Sequence, residues 1–277
     1  MKDVEYSYLK RTVLAQTGID LDSYKSQQMR RRLEGFIESS PSPDVMEYCK
    51  ALVRDGEALR RLRDHLTINV SEFFRDREHF RKLQTVVLPE LLKQRPRLNI
   101  WSAGCSHGEE PYTIAMILDG LSPGRTHRIL GTDIDEGALA RAREGGPYRP
   151  SDVSNVEEAL LSRYFTSFGE GYRLTDRIKS KVEFRQQNLL SEGFESGFDL
   201  ILCRNVVIYF TDKAKAQLVQ GFYQSLREGG VLFTGASETL VPTPDPRFQR
   251  LEVTLYKKQP VADTRRASRT AHVPSRV

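Results

Sequence analysis

The segment Leu98–Leu118, LNIWSAGCSHGEEPYTIAMIL, constrains this chain more than any other stretch. A short apolar run, Asn99–Trp101, breaks into a loop of small residues from Ser102 to Gly108. Glu109, Glu110 and Pro111 then open an amphipathic helix that runs to about Leu118. A β-branched and aromatic run stopped by glycine reads as a strand entering a tight turn. Acidic residues and proline in a first helical turn suit a helix N-terminus, where backbone N–H groups lack partners. Strand, glycine turn and helix in that order is how an open α/β sheet holds a nucleotide-like ligand at its strand ends. Gly104 and Gly108 do not have the dinucleotide spacing, and no Lys-Ser/Thr pair follows to make a P-loop. Carboxylates where a phosphate would sit oppose an anion, so the expected ligand presents a neutral or cationic end.

Upstream, from Tyr6 to about Arg95, apolar residues recur at helical spacing. Tyr8, Leu9, Val13 and Leu14 carry a first helix that Gly18 ends. Asp22 or Ser23 caps a second through Phe36, Ser42 or Asp44 starts a third through Val53, and Glu57–Thr67 forms a fourth. Arg30, Arg31 and Arg32 are consecutive in the second helix and cannot all face a core. They form either a solvated face or a docking surface for acidic helices or a phosphate backbone. Few aromatics interleave with them, which weighs against single-stranded nucleic acid. In Asn69–Arg75, NVSEFFR, Ser71 is expected to cap a helix Glu72–Leu83. One of Phe73 and Phe74 should pack inward while the other lines a cleft or a domain seam. Arg75 is either a salt-bridge partner or a bidentate holder of a carboxylate.

After Pro96 the pattern changes to short continuous apolar runs, as in a parallel sheet covered on both faces. Strands are expected at Asn99–Trp101, His127–Gly131, Val182–Phe184, Phe198–Cys203 and Val231–Thr234, with an antiparallel edge strand over Phe248–Tyr256. Pro242, Pro244 and Pro246 keep the connection before that last strand from being a crossover helix. Helices are expected at Asp135–Arg143, Val156–Tyr164 and Asp212–Leu226, the last closed by Gly229-Gly230. The second strand ends in Asp133-Ile134-Asp135. One of these aspartates is expected to cap the next helix and the other to take the hydroxyls of a ribose. Phe168–Leu174 reads as a hairpin with a glycine turn inside a Gly- and Pro-rich insertion. The fourth strand leaves the core through Arg204, Asn205 and Tyr209 at the edge where such sheets bind ligands, and Ser237-Glu238 follows the next strand there.

Composition excludes several classes. There is no apolar run of about 18 residues, and the start, Met1–Glu5, is polar, so neither export nor membrane insertion is expected. Cys49, Cys105 and Cys203 lie far apart and form no ligand spacing with the histidines. A reducing compartment and no metal are expected. The net charge of +5 fits an anionic partner or a merely basic surface, and part of it comes from a tail beginning at Gln259 whose composition predicts disorder. Arg265, Arg266 and Arg269 of that tail either touch acidic partners or remain solvated.

The stretches Asn69–Arg75, Ser102–Tyr112, Thr132–Asp135, Asn188–Leu190, Cys203–Phe210 and Gly229–Glu238, in this order, resemble the chemotaxis methyltransferase (CheR) family. That family moves the methyl group of S-adenosylmethionine to glutamate side chains of chemoreceptors, leaving S-adenosylhomocysteine. The resemblance implies an α/β fold: a helical domain over residues 1–85, then an S-adenosylmethionine-binding, Rossmann-like doubly wound domain over 86–258 with an antiparallel last strand. It also implies a small three-stranded subdomain inserted at about 146–180, leaving 259–277 as a basic tail. Glu109 resembles the residue that pairs with the cofactor's amino group, Asp133 the ribose ligand, and Asn188 a contact of the adenosine. Ser71, Gly104, Leu189, Arg204 and Asn205 lie in the same matching stretches and join the expected cofactor contacts. Arg75 resembles a residue on the cofactor's carboxylate side, and Arg204 and Tyr209 residues near the methyl-transfer centre, with Asn205 in the same motif. The family usually has Thr where this chain has Ser71.

The implied partners are the helical cytoplasmic domain of chemoreceptors and, on the inserted subdomain, a receptor tail peptide. A cytoplasmic monomer, recruited to receptor arrays and free of nucleic acid, is expected, with Arg30, Arg31 and Arg32 as the docking face. An RNA or small-molecule methyltransferase, or a non-catalytic binding module, are the rival readings. The acceptor glutamate is already ionised near neutral pH, so the reaction needs alignment rather than a general base.

Overall fold

The computed structural model describes residues 1–67, 69–238, 240 and 245–260. Pro242, Pro244 and the arginines Arg265, Arg266 and Arg269 lie outside the described residues.

Four helices come first: α1 (Asp3–Thr17), α2 (Ser26–Glu38), α3 (Val45–Arg54) and α4 (Gly56–Thr67). Gly18 ends α1 at φ 73°, a left-handed position that glycine takes without steric penalty. Asp44 caps α3 by accepting from the N–H groups of Met46 and Glu47. α2 begins later than its pattern predicts. Asp22 and Ser23 fall in a 3-10 turn, Leu21–Ser23, whose cap is Asp20, and the helix starts only at Ser26. Leu9, Val13, Leu33, Ile37, Leu52 and Leu62 meet in a core of their own.

Ser71 caps no helix. Asn69–Asp76 is irregular, with Phe74 and Asp76 at φ 54° and 59°, and helix α5 spans only Arg77–Lys82. It continues through a widened turn, Leu83–Val87, into α6 (Leu88–Gln94). Neither phenylalanine lines a cleft, because both are buried in the core beyond. Phe73 packs edge-on against Tyr148 and Phe165, and Phe74 against Phe80.

The rest alternates: β1 (Asn99–Ala103), α7 (Glu109–Leu121), β2 (Arg128–Asp133), α8 (Glu136–Glu144), α9 (Glu158–Tyr164), β3 (Phe165–Phe168), β4 (Gly171–Leu174), α10 (Asp176–Lys179), β5 (Val182–Gln186), β6 (Phe198–Cys203), α11 (Asp212–Ser225), β7 (Leu226–Thr234), β8 (Phe248–Glu252) and β9 (Leu255–Lys258). Seven strands form one sheet in the order β5-β2-β1-β6-β7-β9-β8, the first five parallel, with β9 antiparallel to both β7 and β8. Side chains alternate between its faces. Ile100, Leu200, Leu202, Val231 and Phe233 enter one core, while Trp101, Ile201, Cys203 and Leu232 enter the other. β1 lies between β2 and β6, so the chain leaves it in opposite directions and a crevice opens at the strand ends.

Three expectations need correction here. The run Phe248–Tyr256 is not one strand but part of a hairpin, in which β9 pairs with β7 and β8 forms the edge. Gly229-Gly230 does not close α11. That helix ends at Ser225, Leu226 turns extended and pairs with Phe198, and both glycines lie inside β7. A Cβ on Gly230 would sit 2.9 Å from the Arg227 carbonyl and 3.1 Å from that of Phe198, so the glycine serves this irregular pairing. The insertion forms a two-stranded sheet, β3–β4, with one further bridge between Tyr148 and Tyr172, rather than three strands. Buried Asp119 of α7 ties this insertion down, accepting from the Tyr164 hydroxyl (2.7 Å) and pairing with Arg163, Arg177 and Lys181.

Gln259 is also held, contrary to the expectation for the tail. Its N–H donates to the Arg247 carbonyl, and its carbonyl accepts from the Tyr223 hydroxyl.

Candidate functional site

The crevice at the ends of β1 and β6 is a cleft closed on one side by the helical domain. Ser71, Arg75, Gly104, Asp133, Asn188, Leu189, Arg204, Asn205 and Tyr209 all line it. These residues come from segments far apart in sequence, and the fold brings them together. Tyr24, Thr67, Asn69, Glu110, Gln187 and Phe210 line it as well, although sequence reasoning did not single them out.

Gly104 shows how closely the backbone is built. It sits at φ 83°, and a Cβ there would lie 2.4 Å from Val206 Cγ2, so any side chain would displace the floor of the cleft. The two aspartates separate as follows. Asp135 caps α8 through Gly137 and Ala138 with one oxygen, and takes Thr67 Oγ1 and Asn69 Nδ2 with the other. Asp133 accepts from the N–H groups of Ser106 (2.8 Å) and Asp135 (3.0 Å) and faces the cleft. Burial raises its pKa against the pull of those N–H groups.

Glu109 stands at the first position of α7, 1% exposed, and behind the cleft lining rather than in it. Its Oε2 has no hydrogen-bond partner among the described residues. Burial, reinforced by the charge of Asp152, pushes its pKa up to about 7 against the pull of its own N–H, Arg141 and Ser71. His107 lies 3.8 Å away, but burial lowers its pKa and makes it a poor counter-ion near neutrality. An orphaned carboxylate oxygen beside a positive helix end therefore lacks a cation. Ser71, expected as a helix cap, instead lies beside this group. The orphan oxygen, next to the cleft-lining Ser71, fits the ammonium group of a ligand held in the cleft.

Two expected residues of the cleft lining already have partners within the protein. Arg204 lines the cleft at 6% exposure. Its guanidinium lies 5.0 Å from the Phe80 ring and 4.7 Å from that of Phe233, pairs with Asp76 (2.6 Å) and Glu110 (3.6 Å), and donates to the Arg75 carbonyl (3.1 Å). It therefore holds the Arg75–Asp76 backbone. The Asn188 amide is also occupied, donating to the Gly18 carbonyl and accepting from the Leu190 N–H.

The three consecutive arginines diverge. Arg30 pairs with Asp3 (2.7 Å) and Glu34 (3.6 Å) within its own domain. Arg31 is exposed, and Arg32 is half-buried with Tyr24, His65 and Tyr209 among its ionisable neighbours and no carboxylate partner among the described residues. The segment before α2 also touches the site directly. Lys25 N–H donates to the Tyr209 carbonyl (2.9 Å), and Thr211 N–H to that of Ser23 (2.9 Å).

Among the described residues no cluster of His, Cys, Asp or Glu has metal-binding form, and no helix is long and apolar enough to cross a membrane.

Comparison with known proteins agrees with this geometry. Residues 4–67 match the family described as "CheR methyltransferase, all-alpha domain", and residues 69–257 match "CheR methyltransferase, SAM binding domain". A chemotaxis protein methyltransferase of Listeria monocytogenes is 39% identical over 92% of this chain and 97% of its own length. A probable chemotaxis protein methyltransferase of Rhizobium etli is 35% identical over 88% and 96%, and chemotaxis protein methyltransferase 1 of Pseudomonas aeruginosa 35% over 86% and 91%. The chain is thus an S-adenosylmethionine-dependent methyltransferase and belongs to the CheR methyltransferase family.

Proposed function

We propose that this enzyme esterifies glutamate side chains in the cytoplasmic helical region of chemoreceptors, and that it works in the cytoplasm. The observation that carries the reading is Arg32, half-buried and without a carboxylate partner among the described residues, whose ionisable neighbours include the cleft-lining Tyr209. A cation next to a hydroxyl there suits an acidic acceptor. When bound, S-adenosylmethionine supplies a methyl group on a positively charged sulfur. Glu109 pairs with its ammonium group, Asp133 holds the ribose hydroxyls and Arg75 its carboxylate. Tyr209 donates its hydroxyl to the acceptor carboxylate. A neutral donor aims the carboxylate without quenching its nucleophilicity, while closure by the helical domain strips water from it. Arg31 and Arg32 steer acidic receptor helices toward the cleft, and Arg30 contributes less because its charge is already paired.

The test is transfer of labelled methyl groups to the cytoplasmic fragment of a cognate receptor. Base-labile label on glutamates is expected, since esters hydrolyse in alkali and methylamines do not. Base-stable label, or label on RNA alone, would sink the reading. Arg32→Ala should lower kcat/KM for the fragment about tenfold at low salt, with the difference shrinking as salt rises. Cofactor affinity should not change. Equal losses at all ionic strengths would argue against steering.

Affinity for S-adenosylhomocysteine should depend on pH. Pairing with an ammonium requires ionised Glu109, whose pKa in the free protein is about 7. Binding should weaken about tenfold per pH unit below that value and level off above it. Titration calorimetry in buffers of different ionisation enthalpy reads the released proton. A flat profile between pH 5 and 8 would remove Glu109 from the ammonium.

A further inference from the structure

Glu238 lies beyond the end of β7 and is 4% exposed. No cation pairs with it among the described residues, and its charge is met by three backbone N–H groups. Oε2 accepts from Asn205 (2.8 Å) and Gly235 (2.7 Å), and Oε1 accepts from Val207 (2.9 Å). Two of these donors belong to the segment between β6 and α11 that carries Arg204, Asn205 and Tyr209. Asn205 sits at φ 60°, a left-handed conformation that asparagine adopts more readily than other non-glycine residues. Val207–Tyr209 forms a 3-10 turn, which puts Tyr209 one short turn from the clamped Val207 N–H. Gly235 leaves the room for this arrangement, since a Cβ there would lie 2.5 Å from Glu238 Oε2 and 3.1 Å from the Asn205 nitrogen.

We propose that Glu238 is a positioning residue for methyl transfer, its carboxylate gathering the Asn205, Val207 and Gly235 N–H groups so that the following turn projects Tyr209 at the acceptor. The carboxylate acts only through the backbone and touches no reactant. Only an ionised side chain supplies acceptors on both of its atoms, because an amide offers one acceptor and one donor. Glu238→Gln therefore keeps the volume and turns a donor toward at least one N–H group.

This inference rests on the reading of Tyr209 as the residue facing the acceptor. The experiment combines receptor-fragment methylation, calorimetry with S-adenosylhomocysteine, and amide hydrogen exchange on the full chain. Glu238→Gln should lower kcat about 30-fold or more with cofactor Kd within about threefold of wild type. A Glu238→Gln/Tyr209→Phe double variant should be no slower than the slower single variant, because both remove the same contact. The Asn205 and Val207 amides should exchange faster in Glu238→Gln. Gly235→Ala, which keeps the carboxylate and crowds it, should reproduce the pattern. Multiplying losses in the double variant, kcat near wild type, or unchanged exchange would overturn the proposal. A Tyr209→Phe variant as fast as wild type would instead overturn the reading of Tyr209. The exchange measurement, which involves no acceptor, would still decide whether Glu238 holds the segment.

Discussion

Replacing Glu109 with glutamine is expected to weaken S-adenosylhomocysteine binding about a hundredfold or more while making the free protein no less stable. The two halves of this result have one cause. The side chain is 1% exposed, with one oxygen unpartnered, so in the free protein the ionised form loses its hydration and gains little in return. Its pKa is accordingly raised, and the sign of the stability effect follows. An acid whose folded pKa lies above its unfolded one favours folding while protonated, and that contribution is lost as pH rises from the ordinary carboxyl range through about 7. Above that pH the glutamine variant escapes a cost of roughly 3 kcal/mol, and at acid pH the two proteins should match. The bound ammonium is what offsets this cost in the wild type. Calorimetry and thermal unfolding at pH 5 and 8 check both halves. Affinity within about threefold of wild type would show that Glu109 does not meet the ammonium, and a destabilised variant at pH 8 would show that another group already satisfies it.

Arg204→Met should destabilise the protein by about 3 kcal/mol, a larger effect than a loss confined to the cleft would give. The guanidinium is enclosed by Phe80 and Phe233 and carries Asp76, Glu110 and the Arg75 carbonyl on its nitrogens. Methionine keeps much of the packing and removes every polar contact. Burial already raises the Glu110 pKa against the pull of Arg204, so the carboxyl will protonate more readily once that pull is gone. Asp76 is better exposed and loses less. Urea unfolding at constant m-value reads the loss, and cofactor affinity should fall with it because the backbone before Asp76 also presents Arg75. A loss below about 1 kcal/mol would mean that the guanidinium is poorly desolvated, contrary to its enclosure.

Legibility in the sequence followed the physics of each region. The loop from Gly104 to Glu109 and the exit of β6 were readable because a glycine turn, a charged helix start and an apolar run ending in polar residues each have a local cause. The caps of α3 and α8 were each narrowed to two residues for the same reason, Ser42 or Asp44 and Asp133 or Asp135, and the structure uses Asp44 and Asp135. The start of α2 was misplaced because Asp22 and Ser23 are both competent caps, whereas the chain there makes a 3-10 turn, pairs Ser23 and Lys25 with the distant Tyr209–Thr211 segment and begins the helix only after Lys25. Gly229-Gly230 looked like a helix end because nothing local distinguishes a left-handed cap from a bulged strand start. That difference rests on the pairing of Leu226 with Phe198. That Arg204 lines the cleft was legible at the exit of β6, whereas its enclosure depends on Phe80 and Phe233, which are remote in the chain. Glu110 carried a signal, standing beside Glu109, but its partners Ser102 and Arg204 emerge only from the fold.

The short antiparallel contact between Ser23–Lys25 and Tyr209–Thr211 bears on how such an enzyme can diversify. Both bonds run from main chain to main chain, so substitutions on either side leave them in place. The outward side chains of α2 can drift to suit a new partner while the backbone that frames Tyr209 stays where it was. A chimaera joining the helical half of one relative to the sheet half of another should therefore keep its chemistry and inherit the donor's choice of target.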